Sequence, residues 1–178
     1  EKNEELRALN DEIESTLRET IYTMGVIEEK RSHETANHTR RVSLYSQLLA
    51  QKAELTPREV ELIAAASPLH DIGKLGIPDD VLMKPGRFTE EERKVMMNHP
   101  AIGYAMLKHS QRDTLVAAGI IAHQHQEKWD GTGYPQGLAG ENIHIFGRIV
   151  ALADVFDALC SSRVYKEAWP LEKVLEWL

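Results

Sequence analysis

A single cysteine, Cys160, stands in 178 residues, so neither an internal disulfide nor a zinc site built on clustered cysteines is available. One free thiol suits a reducing compartment. No apolar run approaches the ~18 residues that would suggest a bilayer-spanning helix. Aromatic residues make up only 6% of the chain. Leu, Ala and Glu are abundant instead, which favours helix over sheet. An excess of basic residues is also lacking. Against 28 Asp+Glu there are 21 Lys+Arg, a formal net charge of −7, which argues against DNA or RNA as a non-specific partner. No signal-peptide pattern is visible, and the chain opens on Glu1 rather than Met. The expected setting is cytoplasmic, and the expected context a longer protein.

The abundant residue is histidine, with eight copies. Histidine is the commonest metal ligand and a frequent acid–base group. The helical pattern shows where each copy falls. In residues 1–31, Leu6, Leu9, Ile13, Leu17, Ile21, Met24 and Ile27 recur at spacings of three and four, the mark of an amphipathic helix. This stretch reads as a linker helix from an upstream sensory or receiver domain, paired with a second copy as a coiled coil. Helical patterns follow from about Glu34 to Lys52, from Pro57 to about Leu69, and from Glu90 to about Met97. Others start near Pro100, over 113–125, from about Phe146 to Ser161, and from Pro170. Thr56-Pro57-Arg58-Glu59 and Thr89-Glu90-Glu91-Glu92 are capping boxes. Residues 130–143 form a Gly-rich loop. Neither strand alternation nor an internal repeat is present. The predicted fold class is all-α, a bundle of six or more helices.

Potential ligands punctuate this pattern: Glu34, His38, His70, Asp71, His99, His123, His125, Glu127 and Asp154. Glu34 and His38 are four apart and share a helix face. His70-Asp71 lies where a helix runs into Gly73. Asp154 interrupts the apolar stretch Ile149 to Phe156, where an unpartnered carboxylate would be costly to bury. Each residue alone has an ordinary explanation: a solvated face, a satisfied core histidine, a pairing of Asp154 with Arg148. Together, mixed His and carboxylate donors without Cys suit a divalent ion such as Fe, Mn or Zn.

Six segments in this order carry a resemblance: His70-Asp71-Ile72-Gly73-Lys74, Ile77-Pro78, Lys84-Pro85-Gly86, His99-Pro100, Asp130-Gly131-Thr132-Gly133-Tyr134-Pro135 and Ala153-Asp154-Val155-Phe156-Asp157-Ala158-Leu159. They closely resemble the HD-GYP family, a subgroup of the HD metal-dependent phosphohydrolases, over about Arg31 to Lys166. The resemblance implies a helical bundle of the HD-domain type, with a linker helix at 1–31 and the catalytic domain at 32–178. Further C-terminal helices would be expected after it. It also implies hydrolysis of the bacterial second messenger cyclic di-GMP to linear pGpG, or on to GMP, within a signal-transduction protein.

Position by position, the implied metal ligands are Glu34, His38, His70, Asp71, His99, His125 and Asp154, with Asp71 shared between two ions. Lys74 would touch the scissile phosphate, so Asp71 and Lys74 carry the catalytic roles. Tyr134, Arg163 and Lys166 would border or hold the substrate. The implied cofactors are two or three divalent ions, iron or manganese first, with zinc, nickel or magnesium as alternatives. The Gly-Tyr-Pro loop would be the contact for a diguanylate cyclase (GGDEF) domain, and the N-terminal helix would give a homodimer.

One position departs from the family pattern. Gln126 stands where a second consecutive His is usual, and a neutral amide oxygen is a poorer ligand than imidazole for Fe or Zn. This leaves open a catalytically weak nucleotide-binding module, and also a hydrolase for another cyclic dinucleotide. His123, three residues earlier, could face the same side as Gln126 or be an ordinary helix residue. His33, His109 and His144 have no expected task, Cys160 is expected to be a buried small residue, and Trp129 and Trp169 are expected to pack.

Overall fold

The computed structural model describes residues 1–32, 37–161 and 168–177. Among these residues the regular structure is helical: α1 (Lys2–Arg31), α2 (His38–Lys52), α3 (Pro57–Ala66), α4 (Asp79–Leu82), α5 (Glu90–Met96), α6 (His99–Leu107), α7 (Asp113–Gln124), α8 (Ile145–Cys160) and α9 (Leu171–Trp177). Short 3-10 turns at Ser67–Leu69 and Ile72–Gly76 join α3 to α4. The all-α expectation holds, and no described helix is long and apolar enough to cross a membrane.

Local chemistry explains the boundaries. Both capping boxes form: Thr56 Oγ1 accepts from Glu59 N while Glu59 accepts from Thr56 N, and Thr89 and Glu92 repeat the exchange. Each box satisfies N–H groups that a helix start otherwise leaves unpaired. The α3 pattern does not continue as α-helix to Leu69. It tightens into a 3-10 turn at Ser67-Pro68, because proline removes the donor that α3 would need next.

Apolar faces then assemble the core. Val60, Ile63 and Ala66 of α3, Ala117, Ala118, Ile121 and Ala122 of α7, and Phe146, Ile149, Val150 and Ala153 of α8 are buried together with Val42 and Ala50 of α2. α7 sits at the centre, and its small residues let α3, α6 and α8 approach closely.

α1 is divided along its length. Leu6, Leu9 and Ile13 are exposed, at 58%, 53% and 48%. Ile21, Gly25, Glu28 and Glu29 share one buried face against the domain. A side chain at Gly25 would overlap the Pro68 carbonyl, so α1 runs backbone to backbone against the turn preceding His70.

Candidate metal centre

Five segments converge on one buried spot. His38 is the first residue of α2, His70 and Asp71 lie between the two 3-10 turns, His99 opens α6, His125 follows the end of α7, and Asp154 lies within α8. They form two groups able to hold a cation. One is His38, His70 and Asp154; the other is Asp71, His99 and His125.

The Asp71 carboxylate joins the groups. Its Oδ1 lies 3.2 Å from His99 Nε2 and 3.3 Å from His125 Nε2, while its Oδ2 lies 3.4 Å from His70 Nε2. His38 Nε2 is 3.6 Å from Asp154 Oδ1. Lys74, three residues beyond Asp71 on the 3-10 turn, places Nζ 2.7 Å from Asp71 Oδ2.

The imidazoles are all anchored through the same atom. Nδ1 of His70 donates to the Ser67 carbonyl, that of His99 to the Met96 carbonyl, and that of His125 to the carbonyls of Ile121 and Ala122. His38 Nδ1 donates to Asp157 Oδ2 at 2.8 Å. With Nδ1 committed to these partners, every Nε2 faces the centre, free to ligate once it carries no proton.

The consequences are visible as orphans. His38 Nε2, His70 Nε2 and Asp71 Oδ1 are buried without a hydrogen-bond partner. His99 Nε2 and His125 Nε2 stand 3.3 Å apart. Lone pairs converging at such distances repel unless a cation lies between them. Donor atoms ~2.0–2.2 Å from one ion stand about 3–3.5 Å from each other, so the second group fits a divalent ion.

A proton is the competing cation. Burial lowers the His70 pKa, but Asp71 more than reverses this and lifts it to about 10. Burial likewise raises Asp71, yet Lys74 and His70 hold it well below the usual carboxylate range. Loading a metal therefore displaces a proton.

The remaining expected residues are placed as follows. Tyr134 sits edge-on to His99, ring centroids 6.2 Å apart, with its phenol held neutral by burial, which raises its pKa to about 12. Glu34, Arg163 and Lys166 lie outside the described residues, as does His33. Both three-residue groups assemble without Gln126, whose carbonyl accepts from Tyr134 N at 3.1 Å. His123 stacks on Tyr104 at 4.4 Å and belongs to neither group. Glu127 is no ligand in these groups either; its carboxylate braces the loop, accepting from Gln136 N at 2.7 Å and Leu138 N at 2.9 Å. His109 is exposed, and His144 caps α8 by accepting from Phe146 N. Two side expectations are corrected. Trp129 is 63% exposed rather than packed, with the Arg148 guanidinium over its ring, because the Gly-rich loop carries it outward. Cys160 is only partly buried, at the end of α8.

Three carboxylates escaped the sequence reading. Asp157 is 1% exposed and binds both His38 and Arg41. Its signal was the three-residue spacing from Asp154 on one helix face. Glu29 accepts from Asn37 N and Thr39 N, which flank His38. Glu28 is buried nearby with an orphan Oε1. Burial and the Asp71 charge raise its pKa to about 7. Nothing in a Glu-rich helical stretch separates these two from their solvated neighbours.

A helical domain that gathers His and Asp donors around a shared aspartate is of metal-binding type. The HD domain family matches residues 23–178, so the chain belongs to that family, in its HD-GYP branch. It is 46% identical over 173 residues to the cyclic di-GMP phosphodiesterase response regulator RpfG of Xanthomonas campestris pv. campestris, covering 97% of this chain and 46% of that protein. It is 44% identical to 3'3'-cGAMP-specific phosphodiesterase 2 of Vibrio cholerae, covering 94% of this chain and 32% of the relative. Among solved structures it resembles Bd1817, an HDG"Y"P protein from Bdellovibrio bacteriovorus. That match has a TM-score of 0.57 and 29% identity, and covers 70% of this chain and 40% of that one. The chain spans less than half the length of these curated relatives.

Proposed function

We propose that this chain is a metal-dependent phosphodiesterase that hydrolyses cyclic di-GMP to linear pGpG, or on to GMP. The observation that carries the reading is the Asp71 carboxylate, shared between two groups of inward-facing donors. His38, His70, Asp71, His99, His125 and Asp154 would hold two divalent ions, with Glu34 completing the set as the family resemblance implies. Iron or manganese suits the mixed imidazole and carboxylate donors, with zinc, nickel or magnesium as alternatives. Ions held there would supply Lewis-acid polarisation of the phosphodiester and acidify the attacking water.

The protein's own groups do the rest. Lys74 places its Nζ 2.7 Å from Asp71, where it would meet the charge growing on the phosphoryl oxygens. Tyr134, neutral at working pH, offers a hydroxyl at the lip of the site. Arg163 and Lys166 would bind phosphate or guanine, and the local positive charge offsets an acidic chain that would otherwise repel its substrate.

The same reading extends to the rest of the protein. The exposed Leu6, Leu9 and Ile13 stripe supports a coiled-coil homodimer through α1, downstream of a sensory or receiver domain in a cytoplasmic signalling protein. The braced Gly-Tyr-Pro loop, with Trp129 outward, supports contact with a diguanylate cyclase domain.

The test is metal analysis of anaerobically prepared protein, followed by chromatography of products from cyclic di-GMP and 3'3'-cGAMP. At least two ions per chain with pGpG as product is expected. Full metal loading with neither dinucleotide cleaved would overturn the reading; cleavage of 3'3'-cGAMP alone would move the substrate.

A further inference from the structure

We infer that the last turn of α1 sets the position of the catalytic turn, with Arg31 as the positioning residue for Lys74 and Asp71; the inference rests on the phosphodiesterase reading of the site. Arg31 Nη1 donates to the Lys74 carbonyl at 2.8 Å, and Nη2 donates to the Ile77 carbonyl at 3.1 Å and to Asp79 Oδ1 at 2.7 Å. The Lys74 carbonyl also closes the Ile72–Gly76 turn by accepting from Ile77 N, while Lys74 N donates to the Asp71 carbonyl; the Ile77 carbonyl lies just past the turn. One planar fork therefore ties α1 to the segment between Asp71 and Asp79, a geometry that a point-charge ammonium reproduces only in part.

The neighbouring residues key the same helix to the other ligand-bearing segments. Glu29 holds the N–H groups on both sides of His38, and Gly25 rests against the Pro68 carbonyl two residues before His70. An axial or rotational shift of α1 thus reaches His38, His70, Asp71 and Lys74 directly, without passing through the core. The exposed N-terminal half of α1 is then the lever through which an upstream event would reach the reaction.

The experiment compares Arg31→Ala and Arg31→Lys with the parent chain, reading metal content, kcat and KM on cyclic di-GMP, and amide hydrogen exchange by mass spectrometry. A misplacement of about 1 Å can cost ~100-fold in rate. The expected result for R31A is a kcat lowered ~10–100-fold, with KM within about twofold and metal content unchanged. Exchange over residues 72–77 should quicken at least ~10-fold while α7 keeps its protection. R31K should recover part of both. An R31A kcat within about twofold of the parent with exchange unchanged over 72–77 overturns the inference. So does an activity loss that tracks metal loss with exchange quickened throughout, which is a folding role only. Should the fully metal-loaded parent chain cleave neither dinucleotide, the phosphodiesterase reading falls, and the exchange comparison alone decides the clasp.

Discussion

Asp157→Asn separates the two cation sites. Asp157 is 1% exposed and directs His38 through a 2.8 Å bond from Nδ1, while Arg41 donates to both of its oxygens. Burial raises the Asp157 pKa, but the His38 bond and Arg41 outweigh it and hold the carboxyl below its ordinary range, so it is an anion at neutral pH. An amide keeps the shape but has one acceptor oxygen, and its NH2 must face either the guanidinium or an imidazole N–H. His38 can escape that clash by moving its proton to Nε2, the atom that should ligate. Losing a partner of a metal-binding histidine typically costs 10–100-fold in affinity, or about 1.4–2.7 kcal/mol.

The penalty should fall on the group that contains His38, His70 and Asp154. Asp71, His99 and His125 have no bond to Asp157, and the anchors of those two histidines are backbone carbonyls. Titration of metal-free protein with Mn2+, followed by calorimetry, should therefore show one site weakened ~10–100-fold and one at parental affinity. Equal weakening of both sites, or of neither, would refute the reasoning. Asp157→Ala removes the anion outright and leaves Arg41 without it. It should lower unfolding stability by ~3–5 kcal/mol, less the share that partly exposed Arg41 recovers from water.

Other perturbations read other parts of the site. Glu28 has a folded pKa of about 7, above its ordinary 4.5, so it stabilises the metal-free fold at low pH and that contribution is lost as pH rises through this window. In chelator, the parent should lose up to about 3 kcal/mol between pH 4.5 and 7 relative to Glu28→Gln, measured by urea denaturation; parallel pH profiles would contradict this. Glu127→Gln leaves one of two loop N–H groups without an acceptor. It should cost ~1.5–3 kcal/mol and speed proteolysis within 130–143, and an unchanged cleavage rate would count against the brace. Gln126→Ala should leave two ions per chain, because both donor groups form without it; loss of an ion would show that the amide ligates.

Much of this centre was legible in the chain itself. The helices followed from apolar spacing and two capping boxes, which are local and need no partner. His70-Asp71, His99, His125 and Asp154 were legible as donors because they sit at helix ends or interrupt an apolar stretch. The Gly-Tyr-Pro loop was legible as a turn, though not its tightness: a side chain at Gly133 would overlap the Lys128 and Glu127 backbone.

What remained hidden depends on distance in space. Which imidazoles share an ion follows from Asp71 lying between α6, the end of α7 and the α2–α8 side, contacts that span up to 119 residues of chain. That His123 stacks on Tyr104 while His125 turns inward depends on the orientation of α7 against α6. The tasks of Glu29, Arg31 and Asp157 were invisible for the same reason. A charged residue on an amphipathic helix reads as solvated until packing removes the water around it. The sequence by itself determined the helices, the donor types and the family; only the tertiary structure decided which donors meet, which nitrogen each turns inward, and which charges were taken out of water to hold them there.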